Sequence, residues 1–245
     1  MRTLLIDIET SPNKVWSFEM RNAFISWDAV IEPSRMICFA AKWYGEEETF
    51  FWSEFHDSRE EMLLELHEML EEADVLLHFN GKRFDEPRIN GEFWQANMLP
   101  PSPYQRIDLW RTVSKRFDLP SSKLAYVLTA AKLPNKVETG GFSLWKGCMA
   151  GDQESWDRMK EYNINDVVVM EALYERLLPW IPEHPNMAVY ADEQVCPACG
   201  ADRLEKRGFS YTGVSKFQRY RCNACGKWSR SGKRISGADI REVAA

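Results

Sequence analysis

Three carboxylates and a tyrosine stand at spacings that could bring them together for chemistry. Asp7 and Glu9 are two residues apart in residues 3–9, which begin apolar and then alternate as a strand does. Both acids therefore leave the same strand face, where they repel each other unless a cation lies between them. Tyr162 and Asp166 are four residues apart in a helical pattern and would share a helix face. Each pair taken alone also fits an ordinary structural role. Asp7 and Glu9 fit solvated acids on an edge strand, and Tyr162 fits a tyrosine packed at the edge of the core beside a solvated Asp166.

The elements that must position these residues follow the order of three strands, helix, strand, helix, strand and further helices. The predicted strands are residues 3–9, 36–44, 48–52, 74–79 and 105–109, and the predicted helices are residues 58–73, 84–97, 121–132 and 153–178. The first three strands are expected to form a meander. Ser58 and Glu61 predict a capping box at the first helix, and residues 134–147 are expected to form a loop.

A further acid, Asp85, follows the fourth predicted strand in the segment Asn80-Gly81-Lys82-Arg83-Phe84-Asp85. It stands in the first turn of the next helix, where a carboxylate also complements the helix dipole. Asp108 lies at the end of the fifth strand, where it fits an outer carboxylate of the site, but it is expected instead to cap the helix that follows.

Three short motifs carry a family resemblance. IDIET, NGKRFD and YNIND resemble, in this order, the three motifs of the DEDD exonuclease superfamily in its tyrosine form, across residues 1–180. The stretch SSKLAYVLTAAKL is also similar to the proofreading domains of family-B DNA polymerases. The resemblance implies an α/β fold of the RNase H-like type, a mixed five-stranded sheet flanked by helices.

The resemblance also implies the roles of five side chains. Asp7, Glu9, Asp85 and Asp166 would hold two Mg²⁺ or Mn²⁺ ions, which in such sites lie about 4 Å apart. Asp7 would bridge both ions, Glu9 and Asp166 would complete the shell of one, and Asp85 would act on the other directly or through water. Tyr162, with an ordinary phenol pKa of about 10, would stay protonated and orient the attacking water.

Two neighbours of Asp85 are implied substrate contacts. Asn80 and Phe84 match family positions that touch the terminal nucleotides, Phe84 by stacking, although a turn residue and a core phenylalanine are the ordinary alternatives. A sister group carries His five residues before the last Asp, where this chain has Glu161. The tyrosine type is therefore expected.

The C-terminal region carries two Cys-x2-Cys knuckles separated by 22 residues, formed by Cys196, Cys199, Cys222 and Cys225. Four thiolates in this arrangement predict one structural Zn²⁺ with all its positions filled by protein. The segment resembles a zinc ribbon. The expected division is an exonuclease domain at 1–180, a proline-containing linker at 181–194, the ribbon at 195–235 and a tail at 236–245.

Charge is unevenly spread along the 245 residues, whose net charge is −6. From Ala191 onward there are 11 Lys/Arg and 6 Asp/Glu residues, a net +5 that leaves −11 for the rest. Cations alternate with aromatic residues between Arg207 and Arg230, a pattern that favours phosphate and base contacts over the alternatives of a small domain's own core or a protein-docking surface.

Composition places the chain among folded proteins, with 44% hydrophobic and 13% aromatic residues. No run of about 18 apolar residues and no signal peptide is apparent, so a cytoplasmic protein without membrane contact is expected. Its six cysteines are expected to be thiols or metal ligands rather than disulfides.

These observations together predict a metal-dependent 3′-5′ exonuclease that releases nucleoside monophosphates, with single-stranded DNA 3′ ends as the preferred substrate. Direction and product follow from the resemblance alone. Replication or recombination proteins are expected as further partners. The alternatives are an RNA exonuclease or structure-specific nuclease on the same fold, and a non-catalytic zinc-ribbon adaptor that binds nucleic acid.

Overall fold

The computed structural model describes residues 1–19, 24–137 and 140–240. The chain divides into two compact units, one formed by Arg2–Leu173 and the other by Tyr174–Ala245 together with Met1.

The elements occur in the following order along the described residues. The strands and helices are β1 Thr3–Thr10, β2 Lys14–Val15, β3 Val30–Glu32, β4 Met36–Trp43, β5 Thr49–Ser53, α1 Arg59–Glu72, β6 Val75–His78, α2 Asp85–Gln95, β7 Gln105–Asp108, α3 Leu109–Arg116, α4 Leu124–Ala131, α5 Ser143–Met149, α6 Gln153–Leu177, β8 Leu204–Tyr211, β9 Ser215–Cys222 and β10 Trp228–Gly237. None of the described helices is both long enough and apolar enough to cross a membrane.

The N-terminal unit is built on a five-stranded sheet in the order β5-β4-β1-β6-β7. β1 pairs antiparallel with β4 and parallel with β6, while β4 is antiparallel to β5 and β6 is parallel to β7. The predicted meander of β1, β4 and β5 is confirmed. The predicted fold class, a mixed five-stranded sheet flanked by helices, is confirmed with it.

The two faces of the sheet carry separate apolar clusters. On β1, Leu4, Ile6 and Ile8 pack into the cluster that contains buried side chains of α1 and α2. The other cluster joins α5 and α6 to β4 and includes Trp156 and Cys38. Because side chains alternate along a strand, β1 must turn Asp7 and Glu9 toward the second face. The register agrees, since Glu9 pairs with Cys38.

Local sequence signals account for several element boundaries. Ser58 accepts a hydrogen bond from the Glu61 backbone N–H at 3.1 Å and Glu61 accepts one from Ser58 N–H at 3.0 Å, so the predicted capping box is confirmed. Burial of Trp156 and Met159 fixes the inner face of α6, where Trp156 also donates through Nε1 to the Cys148 carbonyl at 3.0 Å.

Three features differ from the sequence expectation. α5 begins inside residues 134–147, the predicted loop, and its seven residues are held by burial of Leu144 and Cys148. α3 is absent from the predicted helices, and β2–β3 forms a separate two-stranded sheet. Short elements of this kind depend on tertiary packing more than on intrinsic secondary-structure propensity, so the local sequence predicts them poorly.

The C-terminal unit contains a three-stranded antiparallel sheet in the order β10-β9-β8. One knuckle precedes β8 in the chain and contains the completely buried Cys196, and the other begins at Cys222, the last residue of β9. The backbone turns back after each knuckle, where Gly200 has φ of +72° and Gly226 has φ of +80°. L side chains rarely adopt this conformation, which explains glycine at both positions.

Candidate active site

Strand β1 and helix α6 bring three of the predicted site residues together. Carboxylate oxygens of Asp7, Glu9 and Asp166 all lie within 4.8 Å of one another. Asp7 and Glu9 share one face of β1 as their spacing requires, and Asp166 approaches from the middle of α6. We call these three residues the carboxylate cluster. Three carboxylates this close together repel one another when all are ionised, unless a cation binds between them.

Asp85 lies against the same strand but outside that cluster. It is buried in the first turn of α2, and its Oδ1 accepts a hydrogen bond from the Ile8 backbone N–H at 3.4 Å. Burial raises the pKa of Asp85 to about 6, although the charge of His78 opposes the shift. The structure therefore places this acid beside the backbone that links Asp7 to Glu9.

Burial and mutual repulsion shape the ionisation of the carboxylate cluster. Burial, followed by the charge of Asp166, raises the pKa of Asp7 well above its ordinary value and raises that of Glu9 to about 8. Burial also raises the pKa of Asp166, against the opposing charge of Lys136. A divalent cation would remove the repulsion that disfavours the charged forms.

One unpaired oxygen of the carboxylate cluster is suited to a hard cation. Among the described residues, Asp166 Oδ1 is buried without a hydrogen-bond partner. Such an atom costs free energy unless it gains a donor or a metal ion. Three carboxylates offering oxygen atoms over this short distance match the ligand preference of Mg²⁺ and Mn²⁺.

Lys136 supplies a cation to the cluster and was not among the predicted site residues. Its Nζ hydrogen-bonds Asp166 Oδ2, lies 3.4 Å from the Tyr162 hydroxyl and sits 5.2 Å from the centre of the Tyr162 ring. The residue comes from the loop before α5. No spacing rule connects a single loop lysine to Asp166, thirty residues later, so the sequence carried no signal for it.

Asn163 is a second residue that the sequence reasoning missed. Its side chain is fully buried, and Nδ2 donates to Asp7 Oδ2 at 2.8 Å and to the Asp7 carbonyl at 3.2 Å. The contact ties α6 to β1 at the carboxylate cluster and fixes the orientation of Asp7. An available signal was the polar residue next to Tyr162 at a helix position that must face the sheet.

Tyr162 lies one turn before Asp166 at the edge of the α5–α6 cluster. Its ring meets the Trp145 ring edge-on with centroids 6.3 Å apart. Burial, followed by the charges of Asp166 and Glu9, raises the pKa of the phenol above its ordinary value. The hydroxyl is therefore protonated at neutral pH and can donate a hydrogen bond.

The loop between β6 and α2 presents the two predicted substrate contacts. Phe84 is 48% exposed, so it is not a core residue and its ring is open to a ligand. Asn80 has φ of +69°, and its backbone N–H donates to Asp108 Oδ1 at 2.9 Å. The predicted capping role of Asp108 is wrong, because its side chain forms no capping hydrogen bond to α3 and accepts the hydrogen bond from the Asn80 backbone instead.

A groove of about 600 Å³ lies next to Tyr162. Its walls come from α4, from the loop before α5 and from α6, and the lining includes Lys136, Asn135 and the adjoining Gly140 and Gly141. The groove is open to solvent, and two of its lining residues, Lys136 and Tyr162, lie beside Asp166 because Lys136 contacts both Tyr162 and Asp166. A chain-like ligand could lie in it without displacing the core.

The four cysteines of the C-terminal unit form a compact thiol cluster. Cys196 Sγ is 3.7 Å from Cys225 Sγ, and Cys199 Sγ is 3.7 Å from Cys222 Sγ. A tetrahedron with Zn–S bonds of about 2.3 Å has sulfur separations of about 3.8 Å, so the spacing fits a Zn²⁺ ion. Although burial acts in the opposite direction, backbone N–H groups of the knuckle lower the pKa of Cys222 to about 7.

Comparison with known proteins agrees with this architecture. The mixed sheet with an acidic cluster at its central strand defines an α/β protein of the RNase H-like class. The chain belongs to the RNase_H superfamily, whose family model RNase_H_2 matches residues 31–178. That range includes Asp85, Tyr162 and Asp166 but begins after β1. Membership supports a nuclease activity in general, and with it contact with nucleic acid.

Solved structures show the same fold at low sequence similarity. The chain is similar to the family B DNA polymerase from the hyperthermophilic archaeon Pyrobaculum calidifontis, with a TM-score of 0.56 and 16% identity. The alignment covers 87% of this chain but only 33% of the polymerase chain. A search of curated proteins found no matching relative.

Proposed function

We propose that this protein is a metal-dependent 3′-5′ exonuclease of the DEDD superfamily, tyrosine type, that hydrolyses phosphodiester bonds of single-stranded DNA and releases nucleoside monophosphates. The observation that carries the proposal is the carboxylate cluster of Asp7, Glu9 and Asp166, with the protonated hydroxyl of Tyr162 beside it. Similarity of fold to a DNA polymerase supports DNA as the substrate.

Nucleases of the RNase H-like type use divalent metal ions, and the donor set here suits two Mg²⁺ or Mn²⁺ ions. Asp7, Glu9 and Asp166 would hold them, with Asp85 contributing directly or through water. When bound, such ions make hydroxide available near neutral pH and neutralise charge on the phosphodiester.

The protein's own side chains orient the reacting groups. Tyr162 donates a hydrogen bond and holds the attacking water, because its raised pKa keeps the proton on the phenol. Asn163 holds the Asp7 side chain in place, so the carboxylate oxygen that would bind the metal ion is already oriented before the reaction. Lys136 places a positive charge next to Asp166 and lines the groove in which the strand would lie.

Substrate positioning involves the β6–α2 loop in this proposal. The exposed ring of Phe84 stacks on a base at the 3′ end, and Asn80 contacts a neighbouring nucleotide. Phe84 directly precedes Asp85 and Asn80 lies five residues before it, so the 3′ end of the nucleic acid would be held near Asp85.

The C-terminal unit is proposed to contain a zinc ribbon at residues 195–235 with one structural Zn²⁺ on Cys196, Cys199, Cys222 and Cys225. The exonuclease domain would comprise residues 1–180, followed by a linker at 181–194. The basic ribbon would help an acidic body to hold nucleic acid, and replication or recombination proteins are proposed as further partners.

A digestion assay tests the proposal. Single-stranded DNA, its RNA equivalent and duplex DNA, each labelled at the 5′ or the 3′ end, are incubated with the full chain in Mg²⁺. We expect 5′-labelled single-stranded DNA to shorten stepwise from its 3′ end, and 3′-labelled DNA to release a labelled mononucleotide at once. Faster digestion of RNA, or cleavage confined to a duplex junction, would favour the RNA or structure-specific alternatives. Binding without cleavage of any substrate would leave the adaptor alternative.

A further inference from the structure

The ribbon sheet has two chemically different faces. Residues that pair directly in an antiparallel sheet lie on the same face, and so do residues two apart on one strand. In the register of β9 with β10, Arg221 pairs with Trp228, Arg219 with Arg230 and Phe217 with Arg234. Six residues of β9 and β10 therefore share one face, which we call the arginine face: Phe217, Arg219, Arg221, Trp228, Arg230 and Arg234.

Contacts between side chains agree with this division. The guanidinium of Arg219 lies 4.8 Å from the centre of the Trp228 ring, and that of Arg230 lies 3.9 Å from the centre of the Phe217 ring. On the opposite face Lys216 sits 3.8 Å from the ring centre of Phe209. Every such pair joins residues that the register assigns to the same face.

The arginine face is open and its positive charge is not neutralised. All four of its arginines are exposed, and Trp228 is 49% exposed. Within residues 1–19, 24–137 and 140–240, none of these arginines forms an ion pair. Glu205, which pairs with Arg221 across the sheet, is engaged by Arg207 at 2.9 Å.

The opposite face carries fewer charges and serves the fold. It presents Leu204, Tyr220 and the buried Cys222 of the second knuckle, with Lys206 and Lys216 as its cations. These two lysines are equal in charge to any two arginines of the other face but differ in position. They provide an internal control.

We propose that the arginine face binds single-stranded nucleic acid, with the guanidinium groups on successive phosphates and with the exposed ring of Trp228 stacking on a base. Arginines two residues apart on β9 are separated by about 6.8 Å, a distance that one nucleotide of an extended strand can span. Stacking on the exposed ring of Trp228 requires an unpaired base, which selects a single strand over a duplex. That the ligand is a nucleic acid rests on the proposed function, while the face itself follows from the register.

Fluorescence anisotropy with the full chain tests this assignment separately from catalysis. The protein carries Asp166→Asn to prevent digestion, and the probe is a 5′-fluorescein single-stranded DNA of about 20 nucleotides. Arg221→Gln with Arg230→Gln is compared with Lys206→Gln with Lys216→Gln, since each pair removes two positive charges. Zinc content, measured on every variant, shows that the ribbon is still folded.

We expect the arginine pair to weaken binding at least tenfold and the lysine pair less than threefold. The negative slope of log K against log salt should become shallower by about 1.4 in the arginine pair only, because each single-strand phosphate that is no longer neutralised reduces the magnitude of the slope by about 0.7. Trp228→Ala should weaken binding without changing that slope. Equal losses of affinity in both pairs, or unchanged affinity in both, would overturn the proposal.

Two further arms separate the remaining explanations. Polyglutamate of matched charge that binds more tightly than the oligonucleotide would overturn the proposal in favour of an acidic protein partner. An unmodified chain that cleaves no nucleic acid while the arginine face still binds it would end the proposed function but not this inference. A chain that cleaves normally while the arginine pair binds like its parent would end this inference alone.

Discussion

The two units contain candidate cation sites of opposite construction. The carboxylate cluster uses oxygen donors that come from β1 and α6, more than 150 residues apart, on a sheet with its own apolar core. The thiol cluster uses sulfur donors from two knuckles at the edge of a small sheet with few buried residues. Metal loss should therefore leave the first unit folded but inactive, whereas it should unfold the second.

Replacing one cluster acid gives the largest expected effect and tests the first half of this contrast. Asp166→Asn keeps the shape of the side chain but removes a charged oxygen donor, so we expect cleavage of single-stranded DNA to fall on the order of 1,000-fold. The melting temperature in Mg²⁺-free buffer should not fall. Glu161→Gln, on the same helix but exposed, is the matched control and should cleave like the unmodified chain. Normal cleavage by Asp166→Asn would contradict the assignment.

Tyr162→Phe sharpens the role of the phenol within the same site. The change removes a hydroxyl that stays protonated and retains the ring that packs against Trp145. We expect kcat to fall about 100-fold with little change in KM, because the hydroxyl orients water rather than binding the strand. A shift of the alkaline limb of the pH–rate profile in place of a uniform decrease would show that the phenol acts as a base.

Removing zinc tests the second half of the contrast. Cys222→Ser with Cys225→Ser should release the metal and unfold β8–β10, while the N-terminal sheet keeps its protection from hydrogen exchange. Cleavage of substrates a few nucleotides long should fall less than about threefold, and cleavage of longer strands should fall further because the arginine face no longer forms. Loss of protection in β1 and β6 as well would show that the units do not fold separately.

The pH dependence of stability gives a smaller effect that is specific to the carboxylate cluster. The folded-state pKa of Glu9 is raised from 4.5 to about 8, so the folded protein holds a proton that the unfolded chain releases near 4.5. Stability from this group is present below pH 4.5, falls as pH rises toward 8 and then levels off.

In Mg²⁺-free buffer, Glu9→Gln should therefore raise the melting temperature at pH 8 by at least about 2–4 °C, the change that about 1 kcal/mol produces in a domain of this size, and leave it nearly unchanged at pH 4.5. Added Mn²⁺ should stabilise the unmodified chain at pH 8 more than the variant. If the melting temperature changed with pH in the same way in both proteins, that result would contradict the burial and repulsion assigned to Glu9. Thermal melts followed by circular dichroism measure both outcomes.

Local periodicity explains which parts of the N-terminal unit could be predicted from the sequence. Asp7 and Glu9 are spaced i, i+2 on a strand and Tyr162 and Asp166 are spaced i, i+4 on a helix, and each spacing predicted a shared face. The capping box at Ser58 predicted the start of α1. The order of the predicted strands and helices, together with the family resemblance, then predicted a mixed sheet.

The missed features depend on contacts that no local pattern encodes. Lys136 reaches Asp166 from a loop, and Asn163 reaches Asp7 across the sheet, so both became visible only in three dimensions. α5 forms because Leu144 and Cys148 are buried against other elements. In the ribbon, the alternation of cations and aromatic residues was apparent, but only the register separated the arginines from the lysines.

Anomalous scattering from crystals grown with Mn²⁺ tests the contrast between the two centres most directly. Data collected at the manganese and zinc absorption edges locate each metal without reference to activity. We predict manganese density in contact with Asp7, Glu9 and Asp166, and zinc density at the centre of the four cysteines. Absence of manganese at the carboxylates in crystals that contain zinc at the thiols, or a single metal type at both places, would contradict the account.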